Sequence, residues 1–316
     1  MNSITKNILP FILCVFCFFS IPNSWALENY VGELFKTDQP ISLYTATQAK
    51  KEEINSIFWQ ITDLEGKKHY LFGTIHTDDN RVSNFNPIVS EKLKEIDIFV
   101  MEADEVIDTS ILHVDPKVYN GYLNEKEVEK INLLADFHTM SRENILSMKP
   151  WILAVIFDSP RPITPFNQDN LLKSKAEDFM KITQGLETPR EHFNALDKFT
   201  IDEQMSLLKA VLKKDLKQKE AGYELLVSAY LTFNTEKILN TDTQITKSLV
   251  SKSTWEKMEY YFLTRRNKFF GERVKELIKG NRIFIAVGAS HLGGETGLLN
   301  QFKEAGFKLK PIQALD

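Results

Sequence analysis

The chain has 316 residues, 43% hydrophobic and 26% charged, with a formal net charge of -4. These are the proportions of an ordinary globular domain, and they lack the basic excess of a nucleic-acid binder, so no nucleic acid is an expected partner. Both cysteines, Cys14 and Cys17, fall within the first 26 residues, which excludes disulfides, zinc fingers and thiol catalysis from everything that follows.

Residues 1–26 read as a secretory signal. Lys6 forms a short basic region, Ile8 to Ile21 an apolar one, and Ser24-Trp25-Ala26 places small residues at the cleavage subsites. Cleavage after Ala26 implies an exported protein, periplasmic or secreted. The apolar run is shorter than the roughly 20 residues of a membrane span, so no stable span is expected after cleavage. Residues 27–316 are expected to form a single domain, with 27–55 a weakly periodic leader.

Structure begins at Ile57-Phe58-Trp59-Gln60-Ile61, whose alternation predicts a strand. The turn Asp63-Leu64-Glu65-Gly66-Lys67 leads into a second strand ending at Gly73, which makes a hairpin. That strand exits through Gly73-Thr74-Ile75-His76. After a polar loop, Pro87 opens a helix with Ile88, Val89, Leu93 and Ile96 on one face. Ile98-Phe99-Val100-Met101 then predicts a short buried strand ending at Glu102.

A long middle, about 115–280, shows apolar spacing near 3.6 over 126–138, 142–157, 170–183, 201–233 and 255–279. Pro150, Pro160, Pro162 and Pro165 punctuate it. These helices are expected to pack as a cap over the sheet, because their apolar stripes must be buried somewhere. Within them the Lys-rich run 209–219 reads as the solvated side of a helix whose apolar face carries Val211, Leu212 and Leu216. The chain closes with a strand from Arg282 to Val287, a Gly-rich loop over 288–294, a helix over 296–305 stopped by Gly306, and a strand over 307–312. The fold class is therefore α/β. A central sheet is built from two pseudo-repeated βαβ halves, 57–102 and 282–313, with a large helical insertion.

Both halves deliver a Gly-x-x-His to the carboxyl end of a strand: Gly73 to His76, and Gly288 to His291. Glycine permits a tight turn there, and α/β folds build their sites at that edge. The βαβ reading places Glu102 on a strand parallel to and beside the one ending at Gly73, so its carboxylate emerges near His76. Two imidazoles and a carboxylate suit Zn, Mn, Fe or Co, with an open position for water; alternatively Glu102, followed by Asp104 and Glu105, belongs to a charged loop. Glu187, in an extended piece between two helices, is a candidate general base or further ligand, or else a charge at a helix start. Arg266 and Asn267 could clamp a carboxylate or an oxyanion, or lie on a helix surface. His69, His113, His138 and His192 share no ligand spacing and read as solvated or structural. Gly293-Gly294-Glu295-Thr296-Gly297 lacks the lysine of a phosphate loop, and Ser290 lacks the flanking glycines of a nucleophile elbow.

Taken together and in order, Tyr70 to His76, Val100 to Asp104, Met148 to Trp151, Asp169, Gly185 to Thr188, Arg266-Asn267 and Val287 to Gly294 resemble the TraB/GumN family, whose relatives include the Tiki metalloproteases. The resemblance spans roughly 57–312. It implies an α/β fold with paired Gly-x-x-His motifs at one site and, in the Tiki branch, a divalent-metal-dependent peptidase with manganese or cobalt favoured. It carries His76, Glu102 and His291 over as metal or catalytic residues, with Glu187, Arg266 and Asn267 in support. The family usually has acidic residues just before its Arg-Asn pair, where this chain has Thr264 and Arg265. The expected function is hydrolysis of a peptide or protein substrate by a metal-activated water. The rivals are a haem- or iron-binding protein and a catalytically silent regulator that binds a peptide. No sequence feature sets the oligomeric state.

Overall fold

A computed structural model describes residues 55–103, 109–161, 163–164 and 166–316. The expected signal, nearly all of the leader, and Asp104 and Glu105 lie outside the described residues. Six strands form one sheet: β1 (Phe58–Thr62), β2 (Lys68–Thr74), β3 (Ile98–Ala103), β4 (Ile182–Glu187), β5 (Ile283–Gly288) and β6 (Lys308–Ile312). Their order is β4-β3-β5-β2-β1-β6. The first four in that order are mutually parallel, and β1 is antiparallel to both β2 and β6.

The β1–β2 hairpin forms where its turn chemistry predicts. Gly66 adopts a positive φ of 84°, and Asp63 Oδ1 accepts from the amides of Glu65 and Lys67. β3, however, does not lie beside β2, because β5 sits between them. The reason is burial: β5 is Ile-Phe-Ile-Ala-Val-Gly with every residue buried, so its backbone is best paired on both sides. The two halves thus interleave in one sheet.

Alternation along β5 feeds two cores. Phe284 and Ala286 join Phe58, Tyr70, Phe72 and Phe99 on one face, while Ile283, Ile285 and Val287 join Leu71, Val100 and Phe270 on the other. Each fully buried Val, Leu, Ile or Phe among them contributes about 1.5–3 kcal/mol. The helical insertion supplies a layer to each face, through Leu172, Tyr223 and Tyr230 on the first and Phe270 and Val274 on the second. The rest of it builds its own core around Trp151, Leu153, Phe157, Leu208 and Phe262.

Several expected helices divide. Residues 142–157 become a 3₁₀ stretch, Arg142–Ser147, and a helix, Pro150–Asp158, with proline in its first turn. The 170–183 helix ends at Asp178, and Ile182–Glu187 becomes a sixth strand paired with β3. The 201–233 run breaks at Asp215, which forms a capping box with Gln218. That break overturns the simple amphipathic reading of 209–219. Leu216 is exposed, whereas Lys219 is buried and donates to the Phe157 carbonyl in the last turn of Pro150–Asp158, where a cation suits the helix dipole. Among the described residues no helix is long and apolar enough to cross a membrane.

Candidate functional site

The carboxyl ends of β2, β3, β4 and β5 carry Thr74, Glu102, Glu187 and Gly288 to one edge of the sheet. Both motif glycines work there through close approach rather than an unusual φ. A Cβ on Gly73 would stand 2.9 Å from Leu292 Cδ2 and 3.1 Å from the Ala289 Cα, both in the second motif's loop. A Cβ on Gly288 would meet Glu102 Oε1 at 3.2 Å. The glycines therefore let the two motifs and Glu102 pack together.

Glu102 is the best-connected carboxylate. Its Oε1 accepts from the Gly288 amide at 2.7 Å and lies 3.5 Å from His291 Nε2, while Oε2 accepts from Arg266 Nη2 at 2.7 Å. Burial alone would raise its pKa, but the Arg266 charge foremost, then His291, His76 and the Gly288 amide, hold it well below the ordinary carboxylate range. Glu187 shares that counter-ion. It accepts from Arg266 Nη2 and, at 3.0 Å, from Arg266 Nε, and its pKa is lowered against burial by Arg266 and His192.

Arg266 and Asn267 open the helix Arg265–Leu277 directly after a π-helical turn, Glu259–Thr264. Such turns carry one residue more than α-helical ones and recur at functional sites. Both side chains are buried, which overturns the surface reading. Arg266 is bound by the chain's own carboxylates, so it serves as an internal counter-ion rather than a clamp for an incoming one. It also stands over the Phe270 ring and within 3.3 Å of His291 Nε2 and of His192 Nδ1.

Each motif histidine has Nδ1 engaged by an oxygen. His291 Nδ1 lies 2.5 Å from Asn267 Oδ1, and burial first, then Arg266 and His192, lower its pKa to about 4, so the ring is neutral with its Nε2 lone pair toward Arg266 and Glu102. His76 Nδ1 lies 2.6 Å from Asp169 Oδ2. The other Asp169 oxygen accepts from Thr74 Oγ1 at 2.8 Å. Burial pulls the His76 pKa down, but Asp169 and then Glu102 outweigh it and the net shift is upward. His76 Nε2 is buried with no hydrogen-bond partner among the described residues.

Two functional candidates escaped the sequence reading. Asp169 enters the family resemblance without a role of its own. His192, read as solvated or structural, is buried and donates Nδ1–H to Glu187 Oε1 at 2.7 Å, with Nε2 unpartnered. A signal existed for it. Thr188-Pro189-Arg190-Glu191 is a capping box with proline in the first turn, which starts a helix right after Glu187 and brings residue 192 back over the strand end. The remaining histidines fit their structural reading: His69 pairs with Asp63 and accepts from the Ile283 amide, His113 bonds Ser147, and His138 packs on Phe157.

The donor types of His76, Glu102 and His291 suit a divalent ion, but among the described residues these three do not form a group whose ligand atoms all lie within 4.8 Å of one another. Metal-bound imidazoles commonly give their other nitrogen to an oxygen partner, and His76 and His291 are both so arranged beside the ionised Glu102. The group that meets that spacing is Glu102, Glu187 and His192, with Arg266 Nη2 bound to both carboxylates.

The model of the TraB/PrgY/gumN family matches residues 57–311. No curated protein and no solved structure matches the chain.

Proposed function

Starting from a chain that belongs to the TraB/PrgY/gumN family over residues 57–311, we propose that it is an exported, divalent-metal-dependent hydrolase of peptide or related amide bonds. His76, Glu102 and His291 would hold the ion, with manganese or cobalt favoured and zinc or iron possible. The observation that carries this reading is the shared arrangement of the two motif imidazoles, each with Nδ1 against an oxygen, Asp169 Oδ2 or Asn267 Oδ1. A divalent ion, when bound there, supplies Lewis acidity toward a carbonyl and toward water.

The chain's own groups divide the remaining work. Arg266 keeps Glu102 and Glu187 ionised and therefore weakly basic, which argues against the general-base role the sequence offers Glu187. His192, with Nδ1 given to Glu187 and Nε2 unpartnered, is the better group to move a proton. Asn267 fixes the His291 tautomer.

Elemental analysis of the purified chain beside His76→Ala and His291→Ala tests the proposal. About one equivalent of metal is expected in the unchanged protein, with affinity lost by at least 10–100-fold in each variant, the scale reported for lesser, outer-shell changes. Unchanged metal content in both variants would overturn the site. A Soret shift with haemin that disappears in His291→Ala would favour the haem-binding rival instead.

A further inference from the structure

The Glu102–Glu187–His192 group has the spacing of a cation site and already contains a cation. Its three ligand atoms lie within 4.8 Å of one another. Arg266 Nη2 is 2.7 Å from Glu102 Oε2, is hydrogen-bonded to Glu187 Oε1, and is 3.3 Å from His192 Nδ1. All three ligand residues are buried. Glu102 faces two ways at once: Oε1 toward His291 and the Gly288 amide, Oε2 toward the guanidinium. A carboxylate shared in this manner is the usual bridge between paired cations, which in two-metal hydrolases stand about 3.5–4 Å apart.

We propose that the Arg266 guanidinium stands in for a second cation, so that the site takes one divalent ion and not two. The one-ion part rests on the reading that His76, Glu102 and His291 hold the first. Electrostatics favours the assignment. Two buried carboxylates side by side repel, and a fixed positive charge between them removes that cost without a second ion having to bind. Arg266 also supplies what a metal cannot, a planar fork whose Nε and Nη2 both reach Glu187 while Nη2 reaches Glu102. With the guanidinium in place, a second ion would have to displace a buried, multiply bonded side chain. Without it, Glu102, Glu187 and His192 become a vacant ligand set.

The test is a count. The full chain, stripped with chelator and dialysed against Co(II), is expected to retain one equivalent, Arg266→Ala two, and Arg266→Ala combined with His192→Ala one. Arg266→Lys, which keeps a positive charge, is expected to stay at one. Removing the guanidinium leaves two buried carboxylates facing each other, so Arg266→Ala will also be less stable. Thermal melts with and without Co(II) cover that case: the metal should raise the melting temperature of Arg266→Ala more than that of the unchanged protein. Two equivalents in the unchanged protein, or no gain of metal and no extra thermal shift in Arg266→Ala, would overturn the assignment. No cobalt in the unchanged protein but one equivalent in Arg266→Ala that is lost with His192→Ala would remove the proposed first site and leave the stand-in role of Arg266 established.

Discussion

Asp169 gives one carboxylate oxygen to Thr74 and sets the other against His76 Nδ1, so it decides which imidazole nitrogen is left outward. The same helix start holds the motif backbone, since Gln168 Oε1 accepts from the Ile75 amide and shares the single Tyr230 hydroxyl proton with the Gly73 carbonyl. Replacing Asp169 by Asn keeps the shape but removes the charge that favours an N–H at Nδ1. Asp169→Asn should weaken Co(II) binding by about 10–100-fold while moving the melting temperature little, measured by titration of the cobalt absorption bands and by a thermal melt. Equal affinity in the two proteins would show that Asp169 does not orient His76. Nothing near residue 169 in the sequence announces this role, because the partner residues are 93 to 95 positions away and only tertiary packing joins them.

At the scale of elements, the sequence reveals those whose local chemistry is self-sufficient. The β1–β2 hairpin follows from Asp63 and Gly66, and β5 from its unbroken apolar run. What stays hidden is order and phase. Strand order depends on which strand can be buried on both sides, and β4 is obscured because its exposed Ile182 and half-buried Thr183, Gln184 and Gly185 lack an apolar alternation. Arg266 and Asn267 sit in a 3.6-residue pattern that a π-helical turn interrupts just before them, so a continuous helix assigns their faces wrongly. The docking of the two motif loops was visible as two glycines but not as a contact. Gly73→Ala should push the Ala289–Leu292 turn away from β2, since part of the clash is with backbone. The expected cost is about 1–3 kcal/mol, the usual penalty of overpacking, read by urea unfolding. Metal affinity should fall with it. A variant as stable as the unchanged chain would mean that the two loops have slack between them.

For the whole molecule, two buried groups away from the direct ligand contacts give opposite pH signatures. Asp242, on the helix Thr235–Lys247, accepts from Ser290 Oγ at 2.6 Å. Burial raises its pKa from 3.8 to about 7, with the Ser290 hydrogen bond only partly offsetting it. Between those values the folded chain keeps a proton that the unfolded chain has released, so its contribution is present in acid and is lost as pH rises through about 7. His138 runs the other way. Burial, then Lys219 and Arg161, lower it from 6.5 to about 3, so the unfolded chain takes up a proton that the folded chain refuses, and stability is lost as pH falls through that range. An amide at residue 242 keeps the shape and cannot ionise. Asp242→Asn should therefore match the unchanged protein near pH 4 and exceed it at pH 8 by on the order of 3–4 kcal/mol. His138→Gln should instead flatten the loss of stability between pH 6.5 and 4. Urea unfolding of the three proteins at pH 4, 6 and 8 separates the two effects, and an Asp242→Asn advantage that does not grow with pH would mean that Asp242 is already ionised in the folded chain, held by a charge partner that its single hydroxyl contact does not provide.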